Sequence, residues 1–281
     1  MEFISQPHTV MRRVSIIGKP LDKLTVRTGW SRAARYPSFS ELYQDTWFLS
    51  AETPTAVIPL AFFTPNHELG PEYIETFELG FDYEFSPQWH GRLDFYHNEI
   101  DDSINIAYPI FSFENHPNDV RTHGVEAEIR GELWSKLSLI ANWSYQENQQ
   151  THNGTDSTGS EIEFTYSPKH KANLTAHYDV TNRLSSTLEV SWRDEYLGPS
   201  FWYPLAFENN PAVRPLDDYM YVNIRMRYNV PITRNENKDR LSLNFYAKNL
   251  LDEQPFETLS GFGGRAVGRE FFIGIEYDWS M

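Results

Sequence analysis

Residues Gly268 to Met281 read GREFFIGIEYDWSM, and this stretch decides the fold. Taken in twos, Phe271, Ile273, Ile275, Tyr277, Trp279 and Met281 share one parity. Glu270, Gly274, Glu276, Asp278 and Ser280 share the other, with Phe272 the one exception. Successive side chains of a strand point to opposite faces, so this strand carries one continuous apolar and aromatic stripe and one charged face. A half-buried strand of a soluble sandwich produces the same pattern. Position and repetition separate the two: the stripe runs to the last residue, ends in aromatics, and recurs in nearly every other segment. A transmembrane β-barrel is built this way, apolar toward lipid, polar toward the lumen and aromatic at the interfaces.

The same alternation marks nine further strands: Leu24–Ser31, Phe77–Phe85, Trp89–Tyr96, Val125–Leu133, Leu137–Gln146, Ala172–Val180, Leu184–Arg193, Met220–Asn229 and Leu241–Lys248. Val10–Ile17 is a possible first strand with poorer alternation, closed by a turn over Gly18–Asp22. Long connections cover residues 32–71, 101–121, 147–169, 195–218 and 252–267. Tight turns lie at Ser86–Gln88, Trp134–Lys136 and Thr181–Asn182, and a moderate polar one runs from Val230 to Asp239. Long and short connections therefore alternate. Antiparallel neighbours put alternate connections at opposite ends, and outer-membrane barrels keep short turns at the periplasmic end and long loops outside. The fold expected is an all-β, antiparallel, up-and-down transmembrane β-barrel with about 10–11 strands present.

Composition narrows the function classes. The chain has 281 residues and a formal net charge of −15, which argues against a nucleic-acid partner. It holds no cysteine, so disulfides and thiolate metal sites are excluded. Mean hydropathy is −0.55, but such an average is insensitive to barrels, because half of each strand faces water. No run of about 18 apolar residues forms a membrane helix. The opening MEFISQPHTVMRRVSIIG lacks the long apolar core and small-residue cleavage site of a signal peptide.

Five segments in order resemble the TonB-dependent receptor family of Gram-negative outer membranes. They are ARYPSFSELY (Ala34–Tyr43), NHELGPEYIETFELGFDYEF (Asn66–Phe85), RTHGVEAEIRG (Arg121–Gly131), KNLLDE (Lys248–Glu253) and VGREFFIGIEY (Val267–Tyr277). His67 and Val267 stand where the family pattern has Pro, and Met281 where it has a terminal Phe. The resemblance implies a parent barrel of about 22 strands filled by an N-terminal plug. It places residues 1–281 in the C-terminal portion of that barrel, with no plug domain and no TonB-contacting segment. It further implies outer-membrane lipid around the barrel, recognition of the last strand by the barrel-assembly machinery, and a parent activity of ligand-gated active import. The ligand would be a scarce nutrient, such as a ferric siderophore. A small plugless passive pore, or a non-functional truncated remnant, is the alternative. A barrel enzyme such as a lipase is disfavoured, since no GxSxG-type nucleophile motif occurs.

The candidate ligand-binding residues are Arg35, Tyr36, Tyr43, Trp47, Tyr108, Trp202 and Tyr203, in the first, second and fourth long loops. The aromatics would stack on a ligand and Arg35 would pair with an anionic one. Aromatic packing among the loops, or a place in the interfacial girdle, accounts for any single one of them more simply. His116, His123, His152, His170 and His177 are scattered, with no HExxH or paired spacing, so no metal site or other cofactor is expected; a haem ligand would call for a loop histidine, for which His67 and His116 stay open. Glu126, Glu128, Arg130, Arg225 and Arg227 read as a charged lumen wall that meets the plug in a full receptor.

Overall fold

The computed structural model describes residues 11–52, 57–107, 112–115, 120–150, 162–163, 167–199, 213–231, 240–259 and 262–278. In chain order the strands are β1 (Arg12–Leu21), β2 (Leu24–Arg35), β3 (Thr46–Glu52), β4 (Val57–Phe63), β5 (Glu72–Ser86), β6 (Trp89–Asp101), β7 (Ile104–Ala107) and β8 (Ser112–Asn115). They continue with β9 (Val120–Trp134), β10 (Leu137–Gln150), β11 (Ile162–Glu163), β12 (His170–Asp179), β13 (Leu184–Arg193), β14 (Tyr196–Pro199) and β15 (Val213–Leu216). The last are β16 (Tyr219–Val230), β17 (Arg240–Lys248), β18 (Phe256–Leu259), β19 (Phe262–Arg265) and β20 (Glu270–Asp278). One short helix, α1 (Phe39–Tyr43), precedes β3.

Among the described residues, twelve strands form one sheet in the order β1-β2-β5-β6-β9-β10-β12-β13-β16-β17-β20, with β11 added to β10. Every pairing in it is antiparallel, and each strand of the path lies beside its neighbour in the chain once the loop hairpins are set aside. Those hairpins, β3–β4, β7–β8, β14–β15 and β18–β19, all belong to long connections. The expected sorting of loops by end is therefore present, and four of the long loops carry a ladder that the sequence pattern did not announce.

The register places the alternation on two faces. One row runs Val26, Phe81, Leu93, Ala127, Trp143 and Ala172 across six strands. The adjacent row, on the other face, runs Arg27, Gly80, Asp94, Glu126, Ser144 and Lys171. The apolar face is not packed against a second layer. Ile273 is 84% exposed, Ile275 73% and Phe271 60%, whereas the buried apolar side chains among the described residues are Leu69, Leu216, Tyr219 and Ala247. A soluble sandwich would bury its inward-facing apolar residues between two sheets. An apolar face left open across a whole sheet suits hydrocarbon.

Two differences from the expectation have physical causes. The first strand is present and longer than read, reaching Leu21, because a bulge between Gly18 and Leu21 carries the pairing past the expected turn. Three strands run five residues further at the long-loop end: β5 starts at Glu72 rather than Phe77, β6 ends at Asp101 rather than Tyr96 and β9 starts at Val120 rather than Val125. Beyond the apolar band both faces are wet, so alternation ceases while the hydrogen-bond ladder continues. Among the described residues, β1 and β20 do not pair with each other, and they form the two edges of the sheet.

Candidate functional site

The long-loop end is held together by charge and by amide side chains. Ser38 caps α1 and Glu41 returns the bond: the Glu41 backbone N–H donates to Ser38 Oγ at 3.3 Å, and the Ser38 N–H donates to Glu41 Oε2 at 2.6 Å. This reciprocal box stabilises a helix too short to persist alone. Arg35, at the end of β2, donates Nη1 to Glu41 Oε1 at 3.0 Å. Its Nε and Nη2 fork onto Glu72 at 2.5 and 3.2 Å. Glu72 also accepts the Ile104 N–H at 2.9 Å. One guanidinium thus joins β2, α1 and β5, and through Glu72 reaches β7. Partial burial pushes the Glu41 carboxyl up, but the Ser38 backbone and hydroxyl bonds and Arg35 outweigh it and hold the group below its ordinary range.

Asn66 and Asn115 fasten the first loop to the second. Asn66 Nδ2 donates to the Phe113 carbonyl at 2.9 Å, and its Oδ1 accepts the Glu68 N–H at 2.9 Å. Asn115 Oδ1 accepts the Gly70 N–H at 2.7 Å, while its Nδ2 donates to the Gly70 and Asp102 carbonyls at 3.1 and 2.8 Å. A parallel bridge between Thr64 and Ser112 and the tilted rings of Phe63 and Phe113 complete the seam. The NHELGPE segment is thereby a loop fastener, with Leu69 buried beneath it. At the other end of the sheet KNLLDE does the same work. Asn249, in the left-handed region at φ 50°, donates Nδ2 to the Glu253 and Val267 carbonyls at 2.6 and 3.2 Å. Asp252 Oδ1 accepts the Arg269 N–H at 2.8 Å. KNLLDE and the start of VGREFF therefore interlock.

Arg35, Tyr36 and Tyr43 are brought to this mouth. Arg35 is engaged by two carboxylates, Glu41 and Glu72. Tyr43 packs at a tilt against Phe39, centroids 5.4 Å apart, and against His67 at 4.9 Å, so the histidine that replaces proline packs on a ring. Trp47 lies in β3 with its backbone opposite Phe62. Tyr108, Trp202 and Tyr203 fall outside the described residues.

The polar face carries an ionic cluster toward β2, β5 and β6. Arg27 Nη2 donates to Asp94 at 2.6 Å and its Nε lies 3.4 Å from Asp82, while Arg92 also pairs with Asp94. The Arg27–Asp94 bond passes over β5 at Gly80, where a Cβ would overlap Asp94 Oδ1 and come within 2.6 Å of Arg27 Nη2. The glycine of the Glu-Leu-Gly segment is thus required by a side-chain bridge across three strands. A groove of about 560 Å³ on this face is lined by Arg13, Arg27, Glu78, Arg92, Asp94 and Glu126, among others. Further along the sheet, Arg227 lies 3.3 Å from Glu276.

Phe272, the residue that broke the alternation, also lies on the polar face. It stacks on Tyr246 with centroids 6.1 Å apart and planes 29° apart. The Lys248 ammonium lies 5.6 Å from the Tyr246 centroid and 5.4 Å from that of Phe272. The histidines read as structural: His170 stacks on Trp143 at 5.7 Å, and His177 Nδ1 lies 2.9 Å from Thr187 Oγ1. His123 lies 3.4 Å from Glu147, and His116 and His152 are outside the described residues. Among the described residues, no group of three His, Cys, Asp or Glu side chains has the arrangement of a metal site.

A single antiparallel sheet with one open apolar face, one charged face and its long loops sorted to one end is the wall of a transmembrane β-barrel. The family model described as "TonB dependent receptor-like, beta-barrel" matches residues 9–250, and the chain belongs to that family. An uncharacterized TonB-dependent receptor of Haemophilus influenzae is 26% identical over 148 residues, covering 49% of this chain and 39% of that protein. The siderophore receptor PiuA of Acinetobacter baumannii superposes with a TM-score of 0.66 at 19% identity, over 95% of this chain and 35% of that one. The ferric enterobactin receptor PfeA of Pseudomonas aeruginosa gives 0.68 at 18% identity, over 95% and 40%. The chain thus spans well under half the length of these relatives. Proteins of this family are receptors and transporters, not enzymes.

Proposed function

We propose that residues 1–281 form the C-terminal part of the barrel wall of an outer-membrane importer in a Gram-negative bacterium. The parent activity is ligand-gated, TonB-dependent uptake of a scarce nutrient such as a ferric siderophore. The observation that carries this reading is the open, eleven-strand antiparallel path that superposes over 95% of its own length on a siderophore receptor more than twice as long. The polar wall then faces the receptor's plug, which comes with the energy coupling from outside this portion. The loop end is the extracellular mouth, where Tyr36 and Tyr43 offer stacking surfaces to a ligand; Trp47, Tyr108, Trp202 and Tyr203 join the candidates by their sequence position alone. Arg35 braces the mouth through Glu41 and Glu72. The last strand is the segment that the barrel-assembly machinery reads during insertion.

The test is uptake of ferric enterobactin and other ferric siderophores by iron-starved cells carrying either the complete receptor gene or residues 1–281 alone, with and without TonB. The proposal expects TonB-dependent uptake only from the complete gene. Energy-dependent uptake by cells making residues 1–281 alone would refute it.

A further inference from the structure

We propose that Lys171 and Arg193, on the polar face at the loop end of β12 and β13, bind an oxyanion group of the imported ligand and so select an anionic one. This deepens the importer reading above and rests on it. The register sets the two cations directly opposite each other, in the row that runs through Glu126 and Ser144 and ends at Tyr219. Like charges directly opposite each other disfavour a strand pair unless something bridges them. The Arg193 charge acts against that of Lys171, and Glu126, two strands away, offsets it by less. Ser144 and Tyr219 flank the pair, so no carboxylate faces either cation in register. Neither side chain donates a hydrogen bond or joins an ion pair among the described residues. The carboxylates nearby are held elsewhere. Asp218 accepts the Trp192 indole N–H at 3.3 Å, and Glu189 accepts from Asn223 Nδ2 at 3.4 Å. Glu189 also lies about 13 Å down β13 from Arg193, at the rise of an extended strand.

Position and chemistry agree with a ligand at the mouth. β12 starts at His170, β13 ends at Arg193 and β16 starts at Tyr219, so this row is the rim of the sheet here, at the feet of the third and fourth long loops. Nearer β2, the same row holds Arg27, whose charge is met within the wall by Asp94 and Asp82. At the rim no such partner is built in. The Arg193 guanidinium lies over the Tyr219 ring, 5.9 Å from its centroid, and Tyr219 is 6% exposed, so a buried ring backs the cation and limits its movement. Arg193 itself is exposed and Lys171 half-buried. A guanidinium presents a planar fork that matches two oxygens of one group, and an ammonium adds a compact charge beside it. The Ser144 hydroxyl, opposite Lys171, is a further donor. This set suits a carboxylate or a catecholate oxygen pair, and gives a neutral ligand no more than single hydrogen bonds.

The experiment uses the complete receptor gene in iron-starved cells and reads TonB-dependent uptake of ferric enterobactin and ferric citrate, both anionic, against neutral ferrichrome. Wild type is expected to take up at least one of the anions with a half-saturating concentration roughly tenfold below that for ferrichrome. K171Q/R193Q should raise the half-saturating concentration of that anion roughly tenfold and R193Q alone several-fold, while K171R/R193K, which keeps both charges, stays near wild type. The substitutions relieve a like-charge pair, and equal amounts of each variant in outer-membrane fractions confirm insertion. Ferrichrome taken up as avidly as either anion, or an unchanged half-saturating concentration in K171Q/R193Q, overturns the proposal. Entry of large antibiotics through ligand-free K171Q/R193Q at unchanged ligand affinity also overturns it, and assigns the pair to a carboxylate of the plug. Absence of TonB-dependent uptake of all three complexes by wild type sinks the importer reading itself, and this site with it.

Discussion

Replacing Ile129 with arginine separates a membrane wall from a soluble sheet. Ile129 lies on the apolar face of β9, between Val125 and Leu133 in the middle of its stripe, and is 42% exposed. Its cross-strand neighbours are Gly91 and Ala141, so a long side chain meets no steric barrier. On a soluble protein, an arginine at such an exposed site shifts stability by no more than about 0.5 kcal/mol. On the lipid face near the bilayer midplane the cost is about 2–4 kcal/mol. At about 1.36 kcal/mol per decade, that is a roughly 30- to 900-fold fall in the folding equilibrium constant. The assay is guanidinium titration of the chain folded into lipid vesicles, comparing I129R with E128Q. Glu128 is the adjacent residue on the charged face, and losing its charge should cost under about 1 kcal/mol. An I129R midpoint within error of wild type, or a shift no larger than that of E128Q, would refute the assignment of the apolar face to lipid.

Three further outcomes follow from named contacts. Gly80→Val forces the Arg27–Asp94 bridge apart across β5, and should cost about 1–3 kcal/mol in the same titration. Asn249→Ala removes a buried amide that holds the Glu253 and Val267 carbonyls, at a cost of about 1–3 kcal/mol. Asn249→Gly, which still permits the positive φ, should be milder than Ala and so separates backbone strain from lost bonds. Glu41 gives a pH dependence: its carboxyl is held below the ordinary value, so the α1 cap is at full strength above that value and weakens as pH falls through the lowered one. Amide exchange over residues 38–43 should therefore accelerate, relative to the intrinsic rate, only in that acidic window, and E41Q should abolish the dependence.

What could be read from the sequence was the part that touches lipid. Wherever one face meets hydrocarbon and the other water, alternation is enforced, and Leu184–Arg193 was read with both boundaries as the structure has them. Where both faces are wet the pattern carries no signal, so the outer residues of β5, β6 and β9 were read as loop. The short hairpins β7–β8 and β14–β15 were missed for the same reason. Phe272 was visible as an exception, but its partners were not, because Tyr246 and Lys248 lie on another strand and only the register joins them. Arg35 was read as a ligand contact because a basic residue in an aromatic loop suggests one. Glu72, 37 positions away, is the partner that a linear reading does not supply. Asn66, Asn115 and Asn249 had a faint signal, since asparagine favours turns and the left-handed region, but their distant carbonyl partners leave no local trace.

The central claim is that alternate residues of one strand see lipid and water. The chain has no cysteine, so single cysteines at Thr187, Leu188, Glu189, Val190 and Ser191 can each carry a nitroxide without background. In bilayers, lipid-soluble oxygen should relax the labels at 188 and 190, and a water-soluble nickel complex those at 187, 189 and 191. A period of two that runs opposite for the two reagents confirms the wall; equal accessibility of all five positions to the nickel complex contradicts it.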